Sequence, residues 1–116
     1  MCIRDRSLAS LGRRALELED ETAHIDTLLA ELVDVTAPDL LGLFGIGTDT
    51  AAVLLVTAGD NPERLRSEAA FAHLCGVAPI EASSGKVQRH RLNRGGDRNA
   101  NQALWRIVMT LSLIHI

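Results

Sequence analysis

Between residues 82 and 116 the chain carries Lys86, Arg89, Arg91, Arg94, Arg98 and Arg106 against a single acid, Asp97. Cations gathered at one end of a chain whose formal net charge is −3 suit a polyanion, because each neutralised phosphate releases a counterion. Most of them, with His90, fall in the stretch Val77 to Gly96, VAPIEASSGKVQRHRLNRGG, whose proline, serines and glycines mark an exposed, loop-rich segment. Ser83, Ser84 and Gly85 at its centre read, on their own, as a turn. A second candidate is Gly45-Ile46-Gly47 followed by Thr48. A glycine turn opening a helix presents free amides and the positive end of the macrodipole together, which favours phosphate. Gly45, Gly47 and Thr48 are therefore candidate backbone contacts to nucleic acid. Beside these readings stand plainer ones: arginines that only solvate a face, and a tight helix–helix turn that binds nothing.

Other chemistry finds little support. Cys2 and Cys75 are isolated and form no CxxC pair, so neither a disulfide framework nor a zinc site is indicated. His73 and Cys75, two apart, point to different faces of a helix. Asp49, Asp60, Glu63 and Asp97 are scattered at caps and turns, where capping or solvation accounts for them. No metal is expected from this chain. No apolar run approaches the roughly 20 residues that span a bilayer, and the opening MCIRDRS lacks the apolar stretch of a signal peptide, so a cytoplasmic protein is expected.

These residues need elements to hold them, and the periodicity supplies a mainly α chain. From Leu8 to about Val35 it reads as one helix, with Leu11, Ala15, Leu18, Thr22, Ile25, Leu29 and Leu32 spaced alternately four and three apart. That spacing is an a/d heptad seam, and it predicts a coiled coil, between chains or within one. Residues 1–40 hold nine acids and four bases, the reverse of the other end. Thr36, Ala37 and Pro38 break the helix. Pro38 or Asp39 opens a helix that ends at the Gly45 turn, and Thr48 caps a second that stops at Gly59. The pair reads as a helix-hairpin-helix. Asp60 to Glu63 forms a turn with Pro62 at a first helical position, and Ser67 caps a helix closed by Gly76, with Phe71 and Leu74 in the core and His73 on the surface. A short hairpin is expected around Val87 to Leu92. Asp97 caps a final helix whose stripe is Ala100, Ala103, Leu104, Ile107, Val108 and Leu111; Trp105 is expected in the core, with partial exposure of its flank beside Arg106 as the alternative.

The two extreme ends, MCIRDRS and LSLIHI, resemble translated sequencing-adaptor read-through. Residues 1–7 and 112–116 are accordingly expected to be non-native, with no function for Cys2, Arg4, Asp5, Arg6 or His115. The organisation expected between them is a coiled-coil helix over 8–36 and one small domain over 37–111.

Within that domain, GIGTDTAAVLLVTAGDNPERLRSEAAFAHLCGVAPIEASSGKVQRHRLNRGGDRNANQAL resembles the C-terminal domain of the insertion-sequence transposases related to the Piv and MooV proteins, the insertion sequence one-ten family. Several elements agree in order: the glycine turn with a following Thr-Ala, a Gly-Asp turn, Gly-x-Ala-Pro before Ser-Ser-Gly, and Arg-Gly-Gly-Asp-Arg leading into a helix. The resemblance implies a serine nucleophile in this domain, Ser83 first and Ser84 second, with Lys86, Arg89, His90, Arg91, Arg94 and Arg98 holding DNA phosphates around it. It implies an N-terminal RuvC-like domain, absent here, whose four acids hold Mg2+, so that this chain does not transpose DNA alone. It implies a guide RNA encoded by the element, a homo-oligomer built on the coiled coil, and a place at the bacterial nucleoid. The competing class is a non-catalytic helix-hairpin-helix module that binds DNA or acts as a scaffold. A third reading is an oligomerisation domain with an incidental basic tail.

Overall fold

A computed structural model describes residues 2–114. Five helices and one hairpin follow in the order α1 (Ile3–Thr36), α2 (Pro38–Leu41), α3 (Thr48–Ala58), α4 (Glu68–Leu74), β1 (Ile80–Glu81), β2 (His90–Arg91) and α5 (Arg98–Ile114). The mainly helical class is as expected. Met1, His115 and Ile116 lie outside the described residues.

At 34 residues α1 is about 50 Å long, and it gives the molecule its extended shape, 75 Å in the longest direction. It begins at Ile3 rather than Leu8 and ends at Thr36, where Ala37 takes a φ of −148° and donates its N–H to the Val33 carbonyl at 2.8 Å. Proline at 38 forces this stop, since it cannot donate the next helical bond. Only the last turns of α1 pack inward: Val33 is buried and Leu29 half-buried, and the helix contacts α3.

Two helices flank the glycine turn, but the expected helix-hairpin-helix is not shown by them. Its first limb is one turn, Pro38–Leu41, and residues 42–47 cross to α3 as an irregular loop. Of the three loop glycines only Gly45 has positive φ, +86°; Gly42 is at φ −70°, and Gly47, at φ −93° and ψ 174°, is the N-cap of α3. Thr48, expected to cap, is instead the first helical residue, and no side chain caps α3. The other end behaves as read, with Gly59 at φ +59° closing the helix.

The core lies where α3, α4 and α5 meet. Leu54, Cys75, Ala100 and Ala103 are buried there, and Val53, Phe71, Leu104 and Ile107 pack around them. Small residues at three of the four central positions let α3 and α5 approach closely. Ser67 caps α4 by accepting the Ala70 N–H at 3.2 Å, and Asp97 caps α5 by accepting the Ala100 N–H at 2.9 Å, both as expected. Asn61 to Arg64 is a turn closed by the Arg64 N–H to the Asn61 carbonyl at 3.1 Å. His73 is exposed, and Leu74 is half-buried.

Trp105 corrects the reading. It is 60% exposed, because the first turns of α5 bury Ala100 and Ala103, and position 105 falls on the opposite side. Val108 and Leu111 at the far end of the stripe are also exposed. Leu54→Ala should therefore cost about 3 kcal/mol in urea unfolding through the cavity it leaves. Trp105→Ala should cost under about 1 kcal/mol.

Candidate nucleic-acid interface

The basic segment folds back on itself as a two-stranded arm. Ile80 pairs with Arg91 and Glu81 with His90, and Ser84 bridges Val87 in the same antiparallel register. The hairpin is thus longer than the expected Val87 to Leu92, and its tip is Gly85-Lys86. Ser84 and Val87 exchange both backbone bonds, at 3.1 and 3.2 Å. Gly85 has φ +59° while no non-glycine residue among the described residues has positive φ, the signature of a type II′ turn, whose twist matches that of the strands.

This register sorts the side chains. Residues directly opposite share a face, and alternate residues change face. Ile80, Ala82, Ser84, Val87, Arg89 and Arg91 fall on one side of the ribbon; Glu81, Ser83, Gln88 and His90 fall on the other. Ser84 therefore shares its face with two arginines, whereas Ser83 shares its face with the arm's only carboxylate. All of residues 80–92 are exposed.

The two serines also differ in their bonds. Ser83 is tied to the opposite strand: the Arg89 N–H donates to its Oγ at 3.2 Å, and its hydroxyl points back at the Arg89 carbonyl, 3.5 Å away. That carbonyl also accepts the Ala82 N–H at 2.8 Å. Ser83 thereby fills a gap in the ladder. The Ser84 hydroxyl has no partner among the described residues and stands free at the turn. Neither serine is hydrogen-bonded to a histidine, lysine or carboxylate side chain among those residues.

Arg94 follows the arm, and with Ile80, Arg91, Leu92 and Gly95 it lines a shallow depression at the arm's base. Lys86 is at the tip, and Arg98 is the first residue of α5. The structure thus gathers Ser83, Ser84, Lys86, Arg89, His90 and Arg91 on one arm and sets Arg94 and Arg98 at its root. Gly45, Gly47 and Thr48 belong to a different surface. A Cβ on Gly45 would lie 3.5 Å from the Leu111 side chain, so that glycine faces α5. Gly47 and Thr48 line a depression with Asp26, Asp49, Thr50 and Arg106. Two carboxylates beside the α3 N-terminus oppose the phosphate attraction of its free amides.

What fixes the arm was not legible in the residues. The chain enters it past Gly76 and leaves it past Gly96, and the two backbones touch. A Cβ on Gly96 would be 2.6 Å from the Gly76 nitrogen and 2.8 Å from the Leu74 carbonyl; one on Gly76 would be 2.5 Å from the Gly95 carbonyl. Both have positive φ, +68° and +85°. The Asp97 N–H donates to the Leu74 carbonyl at 2.8 Å, and the Asn101 side-chain amide reaches the Cys75 carbonyl at 3.1 Å. Beneath the crossing, burial pushes the Cys75 thiol above its ordinary value of 9.0, and the Asp97 carboxylate adds to the shift.

Among the described residues, no three His, Cys, Asp or Glu side chains come together as a metal site requires. The residues present do not fit the Mg2+ that the resemblance assigns to another domain. Nor, among those residues, is any helix long and apolar enough to cross a membrane.

Residues 37–115, which include the whole arm and its clamp, match the model of the Transposase IS116/IS110/IS902 family. The chain belongs to that family. An uncharacterised 43.6 kDa protein of insertion element IS110 from Streptomyces coelicolor is 38% identical to it over 94 residues. Those residues are 80% of this chain and 21% of the relative, so this family member spans about a fifth of that protein's length. No solved structure matches the chain.

Two outcomes test the clamp of this transposase-family domain. Gly96→Ala should cost more than about 3 kcal/mol in thermal unfolding and expose the arm's amides to exchange, because backbone and not side chain must give way. Gly85→Ala, with open space around it, should cost only about 1 kcal/mol. The Cys75 shift has its own signature. A thiol whose folded pKa lies above its unfolded one contributes stability that is full below pH 9.0 and is lost as pH climbs through the folded value. Stability measured by urea titration should fall in that window, and Cys75→Ala should remove the fall.

Proposed function

We propose that this chain is the C-terminal part of a DNA transposase, and that its arm grips the DNA backbone and presents a serine nucleophile to a phosphodiester. One observation carries the reading: the unengaged Ser84 hydroxyl stands at an exposed turn on the ribbon face that holds Arg89 and Arg91. In the step proposed, an Oγ–P bond forms and the bond from phosphorus to the leaving sugar oxygen breaks. The serine proton passes to solvent, and the leaving oxygen takes one from it. A serine is a weak nucleophile at its free pKa, so the cations on its face, which offset charge building on the phosphate, are an integral part of the site.

Between the two serines the geometry favours Ser84 over Ser83, the reverse of the order expected from the sequence. Ser83 has its oxygen committed to Arg89 and serves the arm's structure. Lys86, Arg89, His90, Arg91, Arg94 and Arg98 supply affinity and positioning through phosphates, with little sequence information. Gly45, Gly47 and Thr48 contribute at most a secondary contact, given Asp26 and Asp49 beside them. Target choice is assigned to base pairing with an RNA encoded by the element, Mg2+ to a part of the transposase outside this chain, and assembly to a homo-oligomer formed through α1. The setting is the bacterial nucleoid.

The test is strand exchange by a full-length transposase carrying this segment. Ser84→Ala should abolish exchange and leave duplex binding within about two-fold, since a hydroxyl adds little to phosphate affinity. Ser83→Ala should reduce exchange only in part. Loss confined to Ser83→Ala would transfer the role to Ser83, and exchange surviving in both single variants would remove serine chemistry from this domain. Lys86→Ala should lower the slope of log affinity against log salt by about 0.9.

A further inference from the structure

Trp105 is the only tryptophan of a chain that has no tyrosine, and its indole stands 60% exposed on α5. The residues around it on the helix are those of a polyanion contact. At about 100° per residue, Arg98, Gln102, Trp105 and Met109 fall within about 60° of one another, opposite the side that buries Ala100 and Ala103. All four are exposed. Arg98 opens the helix at the root of the arm, and Trp105 follows about 10 Å further along the axis, two turns on. From Arg98 to Ile114 the helix carries no aspartate or glutamate. The cations of the arm thus lead through Arg94 and Arg98 onto a helix face whose next prominent feature is an exposed ring. The track stops there, because Arg106, on the flank of that face, shares a depression with Asp26 and Asp49.

We propose that Trp105 stacks on an unpaired base of the DNA strand that the arm grips, a reading that rests on that grip and extends the strand's course beyond the arm. Strand exchange takes bases out of one duplex before they enter another, so unpaired bases arise beside the bond that is cut. A paired base has both faces covered by its neighbours; an unpaired one does not. The indole offers a face to any of the four bases, which suits a contact that follows the backbone and does not read sequence. Arg98, two turns back, supplies the cation for a neighbouring phosphate, and the Gln102 amide between them offers hydrogen bonds to sugar or base edge. The occupant is DNA because the strand reaches α5 from the arm, where the phosphodiester to be cut lies. Val108 and Met109, both exposed on the next turn, give the far side of the ring an apolar border.

As the only tryptophan, Trp105 is its own reporter. Its emission from the 116-residue chain is followed at about 50 mM salt while single-stranded oligodeoxyuridylate of about 12 nucleotides is added. Anisotropy of a dye on the same oligonucleotide measures binding independently. Stacking should quench the emission strongly as the oligonucleotide saturates, whereas a duplex of the same length should bind and quench little. Trp105→Ala should weaken single-strand binding about ten-fold and leave duplex binding within about two-fold, and Trp105→Phe should recover part of the loss. The quenching is read on the unaltered chain, so it does not depend on how the variants fold. Binding reported by the dye with unchanged tryptophan emission, or equal quenching by the duplex, would overturn the stack and leave the arm's grip standing. Oligouridylate differs from the DNA probe only in its 2′-hydroxyls; binding and quenching by it as tight or tighter would overturn the assignment to DNA. Failure of both DNA probes to bind at this salt, where phosphate contacts are strong, would overturn the grip and the stack together.

Discussion

At one point in this protein two stretches of backbone pass within contact of each other, and the arm hangs from that point. Gly76 and Gly96 meet with no room for a methyl group on either. Around them the Leu74 carbonyl takes the Asp97 N–H and the Asn101 amide reaches the Cys75 carbonyl, so the crossing is hydrogen-bonded as well as packed. These bonds tie the end of α4 to the first turn of α5. Every charged residue of the arm inherits its position from this junction. The arm itself contributes almost nothing to the core, and its own bonds are a short ladder and one tight turn.

The charge distribution makes sense against that frame. Most of the acids lie on α1, which also carries Arg4, Arg6, Arg13 and Arg14, whereas on the arm and at the start of α5 Lys86, Arg89, Arg91, Arg94 and Arg98 stand against only Glu81 and Asp97. A cation excess on one element cannot be neutralised within that element. It remains available to something outside it, as ion pairs between exposed side chains are weak and screened. Arg14 and Glu17 form a salt bridge on α1. No ion pair on the arm itself is found among the described residues, and its cations are exposed.

Much of this could be read from the residues, and the failures have physical reasons. Proline at 38 fixed the end of α1, Ser67 and Asp97 fixed two helix starts, and Gly59 and Gly76 fixed two ends, since each acts within a few residues of itself. The length of the first limb of the expected helix-hairpin-helix was not legible, because a glycine turn says where the chain bends and nothing about how long the helix before it is. Trp105 was misplaced because α5 is apolar on more than one side, and periodicity alone cannot choose between sides. The meeting of Gly76 with Gly96 spans twenty residues of loop, and no local rule reports it. For the site, the residue types and their grouping were legible. Which serine is free and which is bound was not, because that depends on cross-strand register.

The register has one more consequence, for how such an arm can change over generations. A ribbon's faces alternate residue by residue, so an insertion of two residues in one strand returns every later side chain to its original side, and an insertion of one sends them all across. The arm can lengthen or shorten in matched pairs and still keep its arginines beside Ser84. A single-residue slip would put them beside Glu81 instead, with the core untouched and the folded domain just as stable. Length changes in this segment are therefore constrained by parity, independently of any demand made by stability.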